Sequence, residues 1–400
     1  MGSGYISRYS YVHNFFYWSR KIKDLAMASP TTKIPLTRDD CTIALICPLP
    51  VEQAPVEALL DEIYADIPPT TKDKNIYTFG RIHTHNIVIA SMPRTGNTSA
   101  ASVATQALND FPRLRFSLLL GVGGGVPHLA HGLDIRLGDV VVSKPERVFG
   151  GVVQFRQGKV LAGGRFERTG YLRPPPNVLL AAVAKLEARH RRVDSDVPRF
   201  LDEMLRKYPK MRGSGYVYQG AENDRLFRAE SAHVDGRRGG GCEECDGGAV
   251  IPRADRVSSE AVIHYGTIGS SDIVVKDGVL RDAVRDELGV ICVEMEAAGF
   301  IDSFEGLVIR GICDYADSHK NDRWQPYAAA AAAAYAKELL THIPAFSNPD
   351  SDRVHRGTTV LRVGNAGNFV NGDISGDVVG GDKIGGDKVG GGNGWERWRG

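Results

Sequence analysis

The sequence predicts an α/β protein built on a mixed, mostly parallel sheet, and three observations predict it. Short apolar runs alternate with stretches of helical spacing from Thr42 to Leu340, the rhythm of a sheet flanked by helices. One run, Phe116-Ser-Leu-Leu-Leu-Gly-Val122, continues into Gly123-Gly-Gly125, where missing side chains let a ligand approach the backbone. Two further runs, Gly289–Val293 and Gly306–Ile312, each close on acids, in Glu294-Met295-Glu296 and in Cys313-Asp314. Carboxylates at strand ends suggest a site at the carboxyl edge of the sheet, where open α/β folds bind ligands.

The elements follow in order. Thr42–Cys47 reads as a buried strand broken by Pro48 and Pro50, and Val51–Ile63 has helical spacing. Phe79–Ala90 reads as one long or two short strands; His83 and His85 would share one face there, at the surface. Ser99–Leu108 is a small-residue helix, Leu137–Val142 a strand and Val178–His190 a helix. Residues 193–260 are polar and charged and read as an insertion or lid rather than core. The α/β rhythm resumes at Val262 and ends in a helix over Pro326–Leu340, whose seven consecutive alanines favour helix and close packing; Tyr327 and Tyr335 on it are expected to pack.

Composition narrows the function classes. A chain of 400 residues with 42% hydrophobic and 24% charged residues suits one large globular domain with appendages. A net charge of +1 gives no electrostatic case for nucleic acid or an anionic membrane, and no run approaches a membrane span. The six cysteines sit mostly in or beside strand-like runs, which argues against a disulfide framework and for a reducing, cytoplasmic setting. We expect residues 1–40 to be a disordered extension, with Met27 an alternative start, and 41–343 to form the domain. Residues 344–400 would be a linker and a disordered or self-assembling tail.

Several constellations carry chemistry. The glycines are no dinucleotide fingerprint, since Pro127 follows, and there is no Walker lysine. Cys242-Glu-Glu-Cys245 with His233 upstream is one ligand short of a tetrahedral zinc site, with His264 or an acid as fourth; a redox pair or two plain loop cysteines are the alternatives, and no metal is assigned. Arg206, Lys207, Lys210, Arg212, Arg225 and Arg228 could meet a polyphosphate or simply be solvated. Of the two strand-end acids, one could hold sugar hydroxyls while the other protonates a leaving group, the minimum for breaking a glycosidic bond.

In their order, Gly121–Gly125, Leu137–Val142, Val293-Glu-Met-Glu296 and Cys313-Asp314 resemble the nucleoside phosphorylase/uridine phosphorylase superfamily, which includes methylthioadenosine/S-adenosylhomocysteine nucleosidases. His264-Tyr-Gly-Thr-Ile and Arg310–Lys320 look like its fungal branch. The resemblance implies a three-layer α/β/α fold with a mixed, mostly parallel sheet, and a homo-oligomer. It implies that Glu296 grips the ribose hydroxyls, Met295 packs beneath the sugar, and Asp314 protonates purine N7. Glu52 would activate water, and Glu294, Val122, Gly123 and Gly124 would line the substrate site. An acid in the role of Asp314 needs burial, hydrogen bonding or a neighbouring carboxylate to hold its proton.

Departures from the family pattern favour hydrolysis. Phosphorolytic relatives bind phosphate through a Ser or Thr in the glycine segment and arginines near the first and third strands. Here Val122 holds that position, and Pro48–Gln53 contains no arginine, although Arg94 could substitute. Cys313 stands where many relatives have Ser, which would cost a hydrogen-bond partner. The expected function is hydrolytic cleavage of the N-glycosidic bond of purine nucleosides or nucleotides, in nucleoside metabolism or immune-type effector signalling, without a cofactor. The alternatives are a phosphorylase, with inorganic phosphate as co-substrate, and a non-catalytic nucleoside sensor. In the tail, Gly-Asp recurs at 372, 376, 381 and 386 with Ile or Val after each. It resembles amyloid signalling motifs that link fungal receptors to effector domains, which implies a receptor partner sharing the motif.

Overall fold

A computed structural model describes residues 36–70, 74–234 and 241–345. Most of the expected N-terminal extension and the Gly-Asp tail lie outside the described residues. The first strand, β1 (Ile43–Cys47), is wholly buried, and Pro50 then opens helix α1 (Pro50–Ala58). That helix stops at Ala58, short of Ile63, because Glu62–Ile63 peels off as strand β2. β2 pairs with β3 (Tyr77–Ile82), which turns into antiparallel β4 (His85–Ser91). His83 lies in the turn with φ 54°, so the expected alternation with His85 fails. His85 is buried, its Nε2 3.1 Å from the Ile343 carbonyl, and is not at the surface.

Helix α2 (Asn97–Asp110) leads into β5 (Phe116–Gly125), and the glycines are the last residues of this long strand. β6 (Val140–Ser143) and short β7 (Val152–Gln154) follow, with a separate hairpin of β8 (Gly158–Val160) and β9 (Phe166–Arg168). After helix α3 (Asn177–His190), the segment expected to be lid supplies core: helix α4 (Val197–Lys207) buries Val197, Phe200, Leu201, Met204 and Leu205. Its apolar residues recur at helical spacing, which amid so many charges is easy to overlook. A single turn, α5 (Lys210–Gly213), precedes β10 (Ile263–Ser270), α6 (Gly278–Leu288), β11 (Val290–Glu294), α7 (Ala297–Ser303), β12 (Gly306–Asp314) and α8 (Gln325–Thr341).

Ten strands form one mixed sheet in which most pairings are parallel. Helices α1, α3, α4 and α8 cover one face and α2 and α7 the other, giving three layers. Every residue of α8 from Tyr327 to Leu340 is buried, including Tyr327 and Tyr335 as expected; its alanines admit β12 so closely that a Cβ on Gly311 would strike the Ala328 carbonyl. The sheet also bends back on itself. β5 pairs parallel with β12 and antiparallel with β11, closing a ring of β5, β12, β6, β10 and β11. Asp139, just before β6, is buried and binds Arg256 through both oxygens (2.5 and 2.7 Å) and His264 at 2.9 Å, tying the 253–264 connection to the sheet. Among the described residues no helix is long and apolar enough to cross a membrane.

Candidate active site

The ends of β11 and β12 meet as the sequence suggests, but not along one edge of parallel strands. The two strands run in opposite senses on either side of β5, and both find their register at Gly124: Val293 faces it from β11 and Asp314 from β12. Side chains at this double junction open into a cavity of about 230 Å³. All eight expected site residues line it: Glu52, Val122, Gly123, Gly124, Glu294, Met295, Glu296 and Asp314.

Glycine is required here by close approach. A Cβ on Gly121 would lie 2.5 Å from Glu52 Oε1, and one on Gly124 would lie 2.9 Å from Asp314 Oδ1. The strand thus gives up side chains so that two carboxylates can sit against its backbone. Glu52, in the first turn of α1, accepts the Leu49 N–H on one oxygen and the Val122 N–H on the other, each at 2.7 Å. Burial raises its pKa to about 7, against the pull of Arg310 and these two N–H donors.

Two cations organise the acids, and neither was expected as a site residue. Arg310 is fully buried in the middle of β12. Its Nη2 donates to Glu294 and, at 3.2 Å, to Glu296; its Nη1 lies 4.0 Å from Glu52. A lone charge inside an otherwise apolar strand was the available signal, because such a charge must be paired. Lys320 donates to Asp314 Oδ2, so the neighbour of that acid is a cation and not a second carboxylate. Asp314 Oδ1 accepts the Ala316 N–H at 2.9 Å, and the Cys313 thiol lies 3.0 Å from Oδ2. Cys313 therefore keeps the hydrogen-bonding place that its replacement of Ser was expected to cost.

Glu294 and Glu296 differ in their remaining capacity. Glu294 accepts the N–H groups of Glu296 and Ala297 (2.9–3.1 Å) as well as Arg310, so its oxygens are occupied at the start of α7. Among the described residues Glu296 is met by the Gly96 N–H (3.1 Å) on Oε1, by Arg310 on Oε2 and by the Met295 N–H, fewer hydrogen bonds than Glu294 accepts, which leaves acceptor capacity for a ligand. Burial raises its pKa against the opposing pull of Arg310. Ile273, Val274 and Val275 add an apolar wall, and Thr95, Lys320 and Gln325 complete much of the rim. Arg94 is exposed and does not line the cavity. Of the six cations from Arg206 to Arg228, none lines it; Arg225 lines a smaller cavity that also touches Asp314.

No family model matches the chain. It is 40% identical over 335 residues to a nucleotide-binding leucine-rich repeat (NLR)-like protein of Hyaloscypha variabilis, covering 84% of this chain and 32% of that one. It is 25% identical over 261 residues to the ATP nucleosidase Cap17 of Escherichia coli, covering 64% of this chain and 41% of that one. The chain thus spans 32% and 41% of the length of these two relatives. Among solved structures, it is similar to futalosine hydrolase of Helicobacter pylori (TM-score 0.49, 16% identity, covering 76% of this chain and 99% of that one). It is also similar to the 5'-methylthioadenosine/S-adenosylhomocysteine nucleosidase of Neisseria meningitidis (TM-score 0.48, 17% identity, 75% and 98%).

Proposed function

We propose that this chain hydrolyses the N-glycosidic bond of a purine nucleoside or nucleotide. The observation that carries this is the placement of Glu52, Glu296 and Asp314 around one cavity at the β5–β11–β12 junction. Glu296, with acceptor sites to spare, binds the ribose hydroxyls. Met295 lies beneath the sugar, and the apolar 273–275 segment covers the base. Asp314 in its acid form gives a proton to purine N7 as the C1'–N9 bond breaks, so the base leaves neutral. Water adds to C1' and loses its proton to Glu52, whose pKa of about 7 suits a general base. Solvent returns that proton to Asp314, with Lys320 beside it.

Charge favours water over phosphate as the nucleophile. Three carboxylates, Glu52, Glu294 and Glu296, face this cavity beside the acid Asp314. The nearby cations, Arg310 and Lys320, are already paired with them. A phosphate anion would meet net negative charge and no unpaired donor among these groups. Similarity to an ATP nucleosidase and to an NLR-like protein supports a nucleotide substrate and an effector role beside a receptor domain. The Gly-Asp tail would recruit that receptor, and the enzyme would work as a homo-oligomer.

The test is base release, followed by chromatography, from adenosine, inosine, guanosine, methylthioadenosine and ATP, each with and without phosphate. Release without phosphate that falls about 10²–10⁴-fold in Asp314→Asn is expected. Formation of a sugar phosphate only when phosphate is added would make the protein a phosphorylase. Tight nucleoside binding without release, unchanged in Asp314→Asn, would make it a sensor.

A further inference from the structure

A second cluster lies beside the first site and is not used by the chemistry above. Residues 226–228 and 249–251 pair across a short bridge: Arg228 N–H donates to the Ala249 carbonyl (2.9 Å) and Ile251 N–H to the Leu226 carbonyl (2.8 Å). His233 and the C-x-x-C pair both lie between these bridged residues in sequence. Cys245 N–H donates to the Cys242 carbonyl (3.3 Å), the turn that points two cysteine sulfurs to one side. His233 Nδ1 then lies 3.2 Å from Cys245 Sγ and 3.9 Å from Cys242 Sγ. The fourth member comes from far along the chain. His319, in the loop after β12, places a ring nitrogen within 4.8 Å of the His233 and Cys245 ligand atoms.

We propose that Cys242, Cys245, His233 and His319 form a structural zinc site that ties the 226–251 segment to the loop carrying Asp314 and Lys320.

Four independent features carry the assignment. The ligand set is Cys₂His₂, which closes a tetrahedron and leaves no position for water, as structural zinc sites do. Two thiolates balance the dication, so the finished site is neutral and suits its half-buried to buried position. The His233 N···S separations of 3.2 and 3.9 Å bracket the ~3.3–3.8 Å between donors that zinc bond lengths of about 2.0–2.3 Å impose, and His233, Cys245 and His319 lie within 4.8 Å of one another, so Cys242 is the ligand that has to close in. His319 is 7% exposed, yet among the described residues neither ring nitrogen has a hydrogen-bond partner, an unusual state for a buried imidazole. A metal on one nitrogen accounts for it, and the other has Asp317 at hand, with Nδ1 3.6 Å from Oδ1.

The surroundings match a built site. Phe227 stacks on the His319 ring at 3.7 Å and 4°, fixing its plane. Val234 N–H points at Cys245 Sγ from 3.5 Å, the kind of backbone donor that steadies a metal-bound thiolate. His233 N–H donates to Ser318 Oγ (2.9 Å), and that hydroxyl donates to the Ser231 carbonyl (3.2 Å). His264, the fourth ligand suggested by the sequence, is instead bound to Asp139. Loading the site releases two thiol protons to solvent, while both imidazoles bind neutral. A cavity of about 40 Å³ has Cys242, His319 and Asp314 all in its wall, so metal and acid share one partition.

The test is metal content of the purified full chain, before and after incubation with Zn²⁺ and removal of excess. About one zinc per chain is expected. It should be released by a thiol-blocking mercurial and fall at least tenfold in Cys242→Ser/Cys245→Ser and in His319→Ala. His264→Ala should keep its zinc. Replacement by Co²⁺ should give the intense visible bands of a tetrahedral ion and a thiolate charge-transfer band. This wild-type spectrum decides the matter even where a variant fails to fold. Wild-type protein that takes up neither ion, or whose Cys242 and Cys245 are joined to each other, would overturn the proposal. So would zinc that survives loss of these ligands.

Discussion

Arg310 Nη2, from the middle of β12, lies 3.2 Å from Glu296 Oε2 at the start of α7, both side chains being almost fully buried, and the same guanidinium also serves Glu294 and Glu52. One cation therefore holds three carboxylates in place. Arg310→Met should lower unfolding stability by about 3–5 kcal/mol, the cost of leaving buried charges unpaired. Chemical denaturation at pH 7 measures it, and a loss below 1 kcal/mol would show that the carboxylates simply take up protons instead.

Glu52 should set the acid limb of the rate profile. Its pKa of about 7 reflects burial, and only its ionised form can accept a proton from water. kcat/KM should fall as pH drops below about 7. In Glu52→Gln the rate should be about 10²–10⁴-fold lower and this limb should vanish. The stability sign is opposite to that of a paired carboxylate. A folded pKa above the unfolded value of about 4.3 contributes stability at low pH that is lost as pH rises through about 7. The stability cost of Glu52→Gln should therefore be smaller at pH 8 than at pH 5.

Gly124→Ala tests the close approach on β5. The new methyl would meet Asp314 Oδ1 and the Ala316 Cβ, both at 2.9 Å, so the acid must move. A stability cost of about 1–3 kcal/mol is expected, together with a loss of base release of about 10²-fold from misplacement. Thermal unfolding and steady-state kinetics on the same sample separate the two effects; full activity would show that Asp314 need not sit against this backbone.

Asp139→Asn should weaken the fold without touching the cavity. Burial opposes the charge of Asp139, but Arg256 and His264 outweigh it and hold the pKa below the usual carboxylate range. Such a group contributes stability above its unfolded pKa of about 3.9 that is lost as pH falls through the lower folded value. The variant should cost about 1–3 kcal/mol at pH 7. Its difference from wild type should shrink below pH 4, measured by denaturant midpoints across pH.

The parts of the site that were legible in sequence are those where local pattern and chemistry coincide. Apolar runs ending in Glu294 and Asp314 are visible because a strand end is where a carboxylate can be both buried and reachable. Arg310 was visible as a charge in an apolar run, but its partners come from three separate segments, so its purpose was not. Lys320 and His319 are ordinary loop residues until the chain folds back after β12. His264, offered from sequence beside an acid as a possible fourth ligand, binds Asp139 instead, a partner 125 residues earlier that no local pattern reveals. The glycines at 121–125 are legible as a place of close approach to the backbone; what approaches, Glu52 and Asp314, comes from other segments and is not. Helix α4 was hidden by its own charges, which lie on the outward face.

Gly124 is the register mark for two strands that run in opposite senses. Adding or deleting one residue in β5 would shift β12 and β11 by one place each, in opposite directions along their own sequences. No single compensating change elsewhere could realign both. The stretch from Phe116 to Gly125 is thus a segment whose length evolution can hardly edit. By contrast, the hairpin of β8 and β9 pairs only with itself and is mostly exposed, so its length can change with far less consequence for the junction.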